Sequence, residues 1–222
     1  MNSDYLIREF AEGLGLAFAQ EQMRLLRRFI DLVLDYRGRV SLTSLRTKEV
    51  IIKRLAVDSL AVSLVPGFGQ ATRCLDIGSG AGFPSIPLAI LNPESDWLAV
   101  ERNARKAAFL RSTKSQLKLS NYAVVCDDVC NLAQKKESSL RASFVTARAL
   151  RITPAIAKAI KLLLEDDGIV VLFRHHPEGS TLQVLTDLRL RLPSTMDLDV
   201  RGAKRSISFE LHELGRLGQT TP

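Results

Sequence analysis

Asp76, Gly78, Gly80 and Gly82 fall at every second position of the run Asp76-Ile77-Gly78-Ser79-Gly80-Ala81-Gly82. An acid that closes an apolar run, followed by three glycines, lets the backbone turn tightly and pass close to a ligand before the next helix begins. Such a loop suits a nucleotide-type cofactor, with Ser79 inside it and Phe83 at its exit. A dinucleotide loop would place its third glycine three residues after the second, whereas here the spacing is two. Further acids close later apolar runs: Glu101, and then Asp127-Asp128 with Val129 beside them. Each acid alone could simply end a strand or cap a helix, but together and in this order they form a pattern. Metal chemistry finds no such pattern. His175, His176 and His212 lack ligand spacing, and Cys74, Cys126 and Cys130 include no C-x-x-C pair, so neither a zinc site nor a disulfide framework is expected. Cys126 and Cys130 read as small buried residues.

These residues need a scaffold that gathers strand ends. From Pro66-Gly67 onward, short apolar runs alternate with helical periods, which argues for parallel strands joined by crossover helices. Strands are expected over Arg73–Ile77, Trp97–Val100, Ala123–Cys126, Ser143–Ala147 and Ile169–Phe173. Pro87–Leu91, Arg105–Leu117 and Pro154–Leu164 are helical in period, and Asp166-Asp167-Gly168 reads as a turn into the fifth strand. A helix around Leu182–Leu190 should precede Thr195–Val200 and Ser206–His212, an antiparallel hairpin at the sheet edge joined by Arg201-Gly202-Ala203-Lys204. Upstream, Leu25, Leu26, Phe29, Ile30, Val33 and Leu34, then Val50, Ile51, Leu55, Val57, Leu60, Ala61 and Leu64 after a break at Ser41–Ser44, have helical spacing. The expected division is a helical cap over 1–65, an α/β domain over 66–217 and a flexible tail over 218–222.

The chain has 222 residues, 46% of them hydrophobic, enough for one sizeable core. It has no run long enough to span a bilayer, and Asp4, Arg8 and Glu9 interrupt the N-terminus where a signal peptide would be apolar; a cytoplasmic protein is expected. The net charge of +7 is clustered. Residues 24–54 hold Arg24, Arg27, Arg28, Arg37, Arg39, Arg46, Lys48, Lys53 and Arg54 against three acids, and residues 101–118 hold six cations against Glu101. Such clusters make either a solvated helix face or a surface for a polyanion.

The pattern D-x-G-x-G-x-G resembles the first motif of class I S-adenosylmethionine methyltransferases. Extended through Phe83-Pro84-Ser85-Ile86-Pro87-Leu88, it is similar to the GidB-type small-subunit (16S) ribosomal RNA guanine-7 methyltransferases, whose loop runs into a comparable Phe-Pro-Gly-Ile-Pro-Leu. Leu42-Thr43-Ser44, Asp58-Ser59-Leu60, Lys106 with Phe109-Leu110, the Leu117, Leu119 and Asn121 group, and Thr146-Ala147-Arg148-Ala149 match as well. The resemblance spans residues 20 to 175. This chain departs from the pattern at Leu55, where the family has His; at Arg37 and Ser41, for asparagines; at Asp128-Val129-Cys130, for Arg-x-Glu; and at Arg174-His175, for Lys-Gly.

The resemblance implies a Rossmann-like, mainly parallel seven-stranded sheet with helices on both faces and an N-terminal helical extension. It implies S-adenosylmethionine as cofactor, held by Asp76, Gly78, Ser79, Gly80, Gly82, Phe83, Glu101, Asp127, Asp128, Val129 and Arg148, with Glu101 on the ribose hydroxyls and Asp128 on the adenine edge. Arg148, at the fourth strand's carboxyl end, is the expected catalytic residue, its fork matching the guanine edge that presents nitrogen 7 and oxygen 6. Its alanine variant is expected to bind cofactor and lose transfer. No metal and no membrane are implied; the partner is small-subunit ribosomal RNA or the 30S subunit, and the chain a monomer. Two other readings use the same residues: a methyltransferase of another RNA or a small molecule, and a non-catalytic RNA- or ribosome-binding protein that retains the fold. An arginine salt-bridged inside the protein would favour the last.

Overall fold

The computed structural model describes residues 3–36, 38, 40–135, 137–173, 194–200 and 205–213. The expectations for Arg37, Arg39, Arg174, His175, His176, the helix at Leu182–Leu190, the 201–204 connection and the 218–222 tail lie outside these residues. Five parallel strands form the body of the sheet: β1 (Arg73–Ile77), β2 (Asp96–Val100), β3 (Tyr122–Val125), β4 (Ala142–Ala147) and β5 (Leu164–Phe173). β6 (Ser194–Val200) and β7 (Arg205–Glu213) pair as the expected antiparallel hairpin, with β7 running antiparallel to β5. The order β3-β2-β1-β4-β5-β7-β6 makes a seven-stranded sheet. From β1 the chain steps outward to β2 and β3, then returns across β1 to β4. The carboxyl ends of β1 and β4 therefore flank the point where strand order reverses, the place where open α/β sheets bind ligands.

Side chains alternate across the pleat, so Cys74 joins one core cluster and Leu75 and Ile77 the other. The second face is covered by α7 (Val129–Gln134) and α8 (Pro154–Leu163), which bury Leu132, Ile160 and Leu163. On the first face lie α5 (Ser85–Leu91) and α6 (Ala104–Leu117), together with α1 (Ser3–Gly13) and α2 (Gln20–Tyr36). Phe29, Ile30 and Val33 are fully buried there, as a cap requires, and share one continuous cluster with Trp97, Phe109 and Phe144.

Local signals explain the helix ends. Thr153 caps α8 with Pro154 in its first turn, and Asn103 Oδ1 accepts from the amides of Arg105 and Lys106 to start α6. Between Lys48 and Leu64 the helix changes pitch: α3 (Lys48–Ile51), a π turn (Ile52–Ala56), α4 (Val57–Ala61) and a closing 3₁₀ turn. The fifth strand corrects the sequence reading. β5 begins at Leu164, not Ile169, because the supposed turn is a bulge within the strand: the register jumps from Ala142↔Leu164 to Phe144↔Ile169 and leaves Asp166 and Asp167 exposed. Arg141 Nη2 secures it by donating to Leu164 O at 2.8 Å and Asp166 Oδ1 at 2.6 Å.

Candidate active site

The glycine loop leaves β1 with φ of 72° at Gly78, 55° at Gly80 and 91° at Gly82, a region where a Cβ is strained. The amides of Gly78 and Ser79 donate to Val100 O at 2.8 and 3.3 Å, tying the loop to the end of β2. Glu101, the next residue, is 6% exposed and accepts from Gly80 N through Oε2 and from Asn103 N through Oε1, both at 2.8 Å. The acid expected to meet ribose hydroxyls thus also fixes the loop. Each carboxylate oxygen keeps a second lone pair for a further donor.

Beneath the loop, Asp76 is 1% exposed. Its Oδ1 accepts from Thr146 Oγ1 at 2.8 Å across the β1–β4 pairing, while Oδ2 is buried without a hydrogen-bond partner. Burial pushes the Asp76 carboxyl up from its ordinary range, opposed by the hydroxyls of Ser85, Thr146 and Ser79. A buried orphan acceptor under a loop of left-handed glycines fits a polar cofactor. It also sets a pH dependence. With a folded-state pKa above the unfolded one, this group's stability is fullest at acid pH and is lost as pH rises from the ordinary carboxylate range through the raised value. Asp76→Asn should therefore melt higher than wild type at neutral pH, with the gap closing toward acid; melting temperatures between about pH 4 and about pH 8 check this.

Asp128 and Asp127 follow β3. Asp128 Oδ1 caps α7 by accepting from Cys130 N at 2.9 Å. Asp127 Oδ1 accepts from Asn131 Nδ2 at 3.1 Å and Asp128 N at 2.8 Å, and these bonds, Asn131's foremost, hold its carboxyl below the usual range. Both stand half-buried at the sheet's carboxyl edge, and Val129 is buried behind them. Cys126 corrects its expectation: it lies just past the edge strand β3 and is exposed, and Cys130 is half-buried. At the loop exit the Phe83 ring packs into the core against Phe29, centroids 4.7 Å apart.

Arg148 is engaged by three other elements of the protein. Its Nη2 donates to Asp58 Oδ2 at 2.9 Å and Arg54 O at 2.6 Å, and Nη1 to Leu55 O at 3.5 Å. The guanidinium carbon lies 4.8 Å from the centre of the Phe173 ring. The fork that was to read a guanine edge serves the protein itself, because a carboxylate as buried as Asp58 needs a paired charge. Asp58, Thr146 and the π turn escaped sequence reasoning as site residues, although the Asp58-Ser59-Leu60 and Thr146-Ala147-Arg148-Ala149 matches included the first two. Part of the charge excess is neutralised locally by Arg24–Glu21, Lys53–Glu49 and Lys48–Asp31, while Arg54, Arg102, Arg105 and Arg111 are exposed.

Residues 22–189 match the family described as "GidB: rRNA small subunit methyltransferase G". The chain belongs to the GidB family. Proteins named ribosomal RNA small subunit methyltransferase G include one from Chromobacterium violaceum, 34% identical over 70% of this chain and 71% of its own length, and one from Bacillus subtilis, 26% identical over 74% and 70%. Among solved structures, the O-methyltransferase from Bacillus cereus in complex with SAH covers 85% of this GidB-family chain and 91% of its own at TM-score 0.59 and 17% identity. The precorrin-6y C5,15-methyltransferase from Geobacter metallireducens covers 69% and 87% at 0.52 and 16%. These likenesses establish a methyltransferase fold for the GidB-family chain. Among the described residues, no group of three His, Cys, Asp or Glu could hold a metal, and no helix is long and apolar enough to cross a membrane.

Proposed function

We propose that this chain transfers a methyl group from S-adenosylmethionine to the 7-nitrogen of a guanine in small-subunit ribosomal RNA, releasing S-adenosylhomocysteine. The observation that carries this reading is the glycine loop held by Glu101 where the strand order reverses. The bound cofactor supplies an electrophilic methyl on a sulfonium. Nitrogen 7 offers a lone pair and carries no proton, so no side chain needs to act as a base. The chain's task is alignment, which can supply roughly 7–11 kcal/mol of the barrier. Gly78 to Gly82 receive the cofactor closely, Glu101 orients it from the β2 end, and Asp127 and Asp128 border its base. The proposed setting is cytoplasmic, with a monomer acting on naked RNA or the 30S subunit.

The decisive experiment is transfer of labelled methyl to purified small subunits lacking the modification, followed by chemical cleavage at 7-methylguanosine. Label cleaved at one site supports the reading, and incorporation without cleavage moves the chemistry to another atom. The Arg148–Asp58 pair favours a second reading, a ribosome-binding protein that retains the fold; cofactor binding without any incorporation would select it. RNA affinity should fall steeply with salt, since each phosphate neutralised by the exposed arginines contributes about −0.7 to the logarithmic slope on single strands. A flat response in a filter-binding titration points to a small uncharged substrate.

A further inference from the structure

Three elements converge on Arg148 at the carboxyl end of β4. Asp58 of α4 accepts from Nη2 at 2.9 Å, with the two side chains 9% and 13% exposed. The π turn presents the carbonyls of Arg54 and Leu55, and Phe173 at the end of β5 lies against the guanidinium. A π turn departs from the regular carbonyl–amide ladder, and here two of its carbonyls take up donors from a side chain more than ninety positions later in the sequence. The residue after Arg148 is strained: Ala149 has φ of 52°, one of two described non-glycine residues with positive φ. Leu150 then folds back over the cofactor loop, its Cδ1 3.7 Å from where a Cβ on Gly78 would stand.

We propose that Asp58 is a positioning residue for the cofactor loop, holding the strained turn Arg148-Ala149-Leu150 closed over Gly78 through its ion pair with Arg148. A left-handed alanine persists only where its surroundings over-determine it. The buried pair supplies that constraint, because Arg148 cannot move outward without breaking a 2.9 Å ion pair in which both side chains are largely buried. The N-terminal helices thereby set the roof of the cleft as well as covering the sheet. The transfer arm of the test rests on the proposed methylation; the binding and exchange arms do not.

Asp58→Asn keeps the side chain's shape and removes its charge. Affinity for S-adenosylhomocysteine, measured by calorimetry, should fall about tenfold, and KM for the methyl donor should change more than kcat. Adding Ala149→Gly should restore most of the loss, because glycine adopts this φ without strain and the turn then needs no clamp. Leu150→Ala leaves the ion pair intact and should lower the affinity similarly, which keeps the test open if Asp58→Asn folds poorly. Wild-type affinity in both single variants overturns the proposal, as does a double variant no better than Asp58→Asn, the result of a merely structural carboxylate. If the wild-type chain binds no S-adenosylhomocysteine, the functional reading fails by itself. Amide exchange then decides the tether: faster exchange at Ala149 and Leu150 in Asp58→Asn supports it, and unchanged exchange overturns it.

Discussion

Replacing Glu101 with alanine will weaken binding of S-adenosylhomocysteine by about a hundredfold, equivalent to about 3 kcal/mol. The size follows from two losses that coincide. The amides of Gly80 and Asn103 both end on this carboxylate at 2.8 Å, so its removal takes away acceptors that fix the loop. In the proposed function the same oxygens also meet the cofactor's ribose. Glu101→Gln separates the two effects: its carbonyl oxygen can satisfy one amide while its NH₂ faces the other, so an intermediate loss is expected. Calorimetric titration of the three proteins checks the series. An alanine variant within about threefold of wild type would place the cofactor elsewhere.

Gly82→Ala will abolish measurable cofactor binding and lower stability by about 2 kcal/mol or more. A Cβ there would stand 2.6 Å from Ile86 Cδ1 and 3.1 Å from Leu110 Cδ2, on a backbone with φ of 91°. Relief comes from turning the buried Ile86 side chain aside or from lifting the loop off α5 and α6, which moves the amides that line the cleft, and the strain of a left-handed alanine remains in either case. Gly15→Ala is the control, since φ there is 71° but nothing lies within 4 Å. It should cost only the backbone strain, about 1 kcal/mol, with affinity unchanged. Thermal melting and calorimetry on both variants distinguish local distortion from general destabilisation.

The parallel strands were legible because each is a short apolar run ending where a loop residue of evident chemical type begins. β1 matches its expected bounds, β2 and β4 begin one residue earlier, and β3 is shifted by one residue at both ends. The bulge in β5 was not legible: two aspartates and a glycine have turn composition wherever they occur, and only the pairing with β4 and the grip of Arg141 keep them in a strand. The glycine loop and Glu101 could be found from order and spacing, since the chemistry they serve is local to strand ends. Arg148 could be found but not its partner. Its fork is taken by Asp58 and by carbonyls of a π turn, an arrangement that no helical period records because it depends on a residue far along the chain. The exposure of Cys126 was not legible for a related reason: whether a thiol faces the core depends on what packs above it, and this one lies just past the edge strand β3.

The cluster that joins Phe10, Phe29 and Ile52 to Trp97 and Phe144 has a consequence for how the molecule can be divided. A fragment beginning near Val65 would keep the glycine loop, Glu101 and Arg148 in its sequence, yet it would remove the helices that cover this cluster alongside α5 and α6 and turn apolar side chains there to water. The N-terminal third is therefore not a detachable module that could be trimmed or exchanged among relatives while the catalytic half stands alone. Any graft of a new RNA-facing surface onto this chain has to keep the inward-facing residues of α1 and α2 and vary only what points outward.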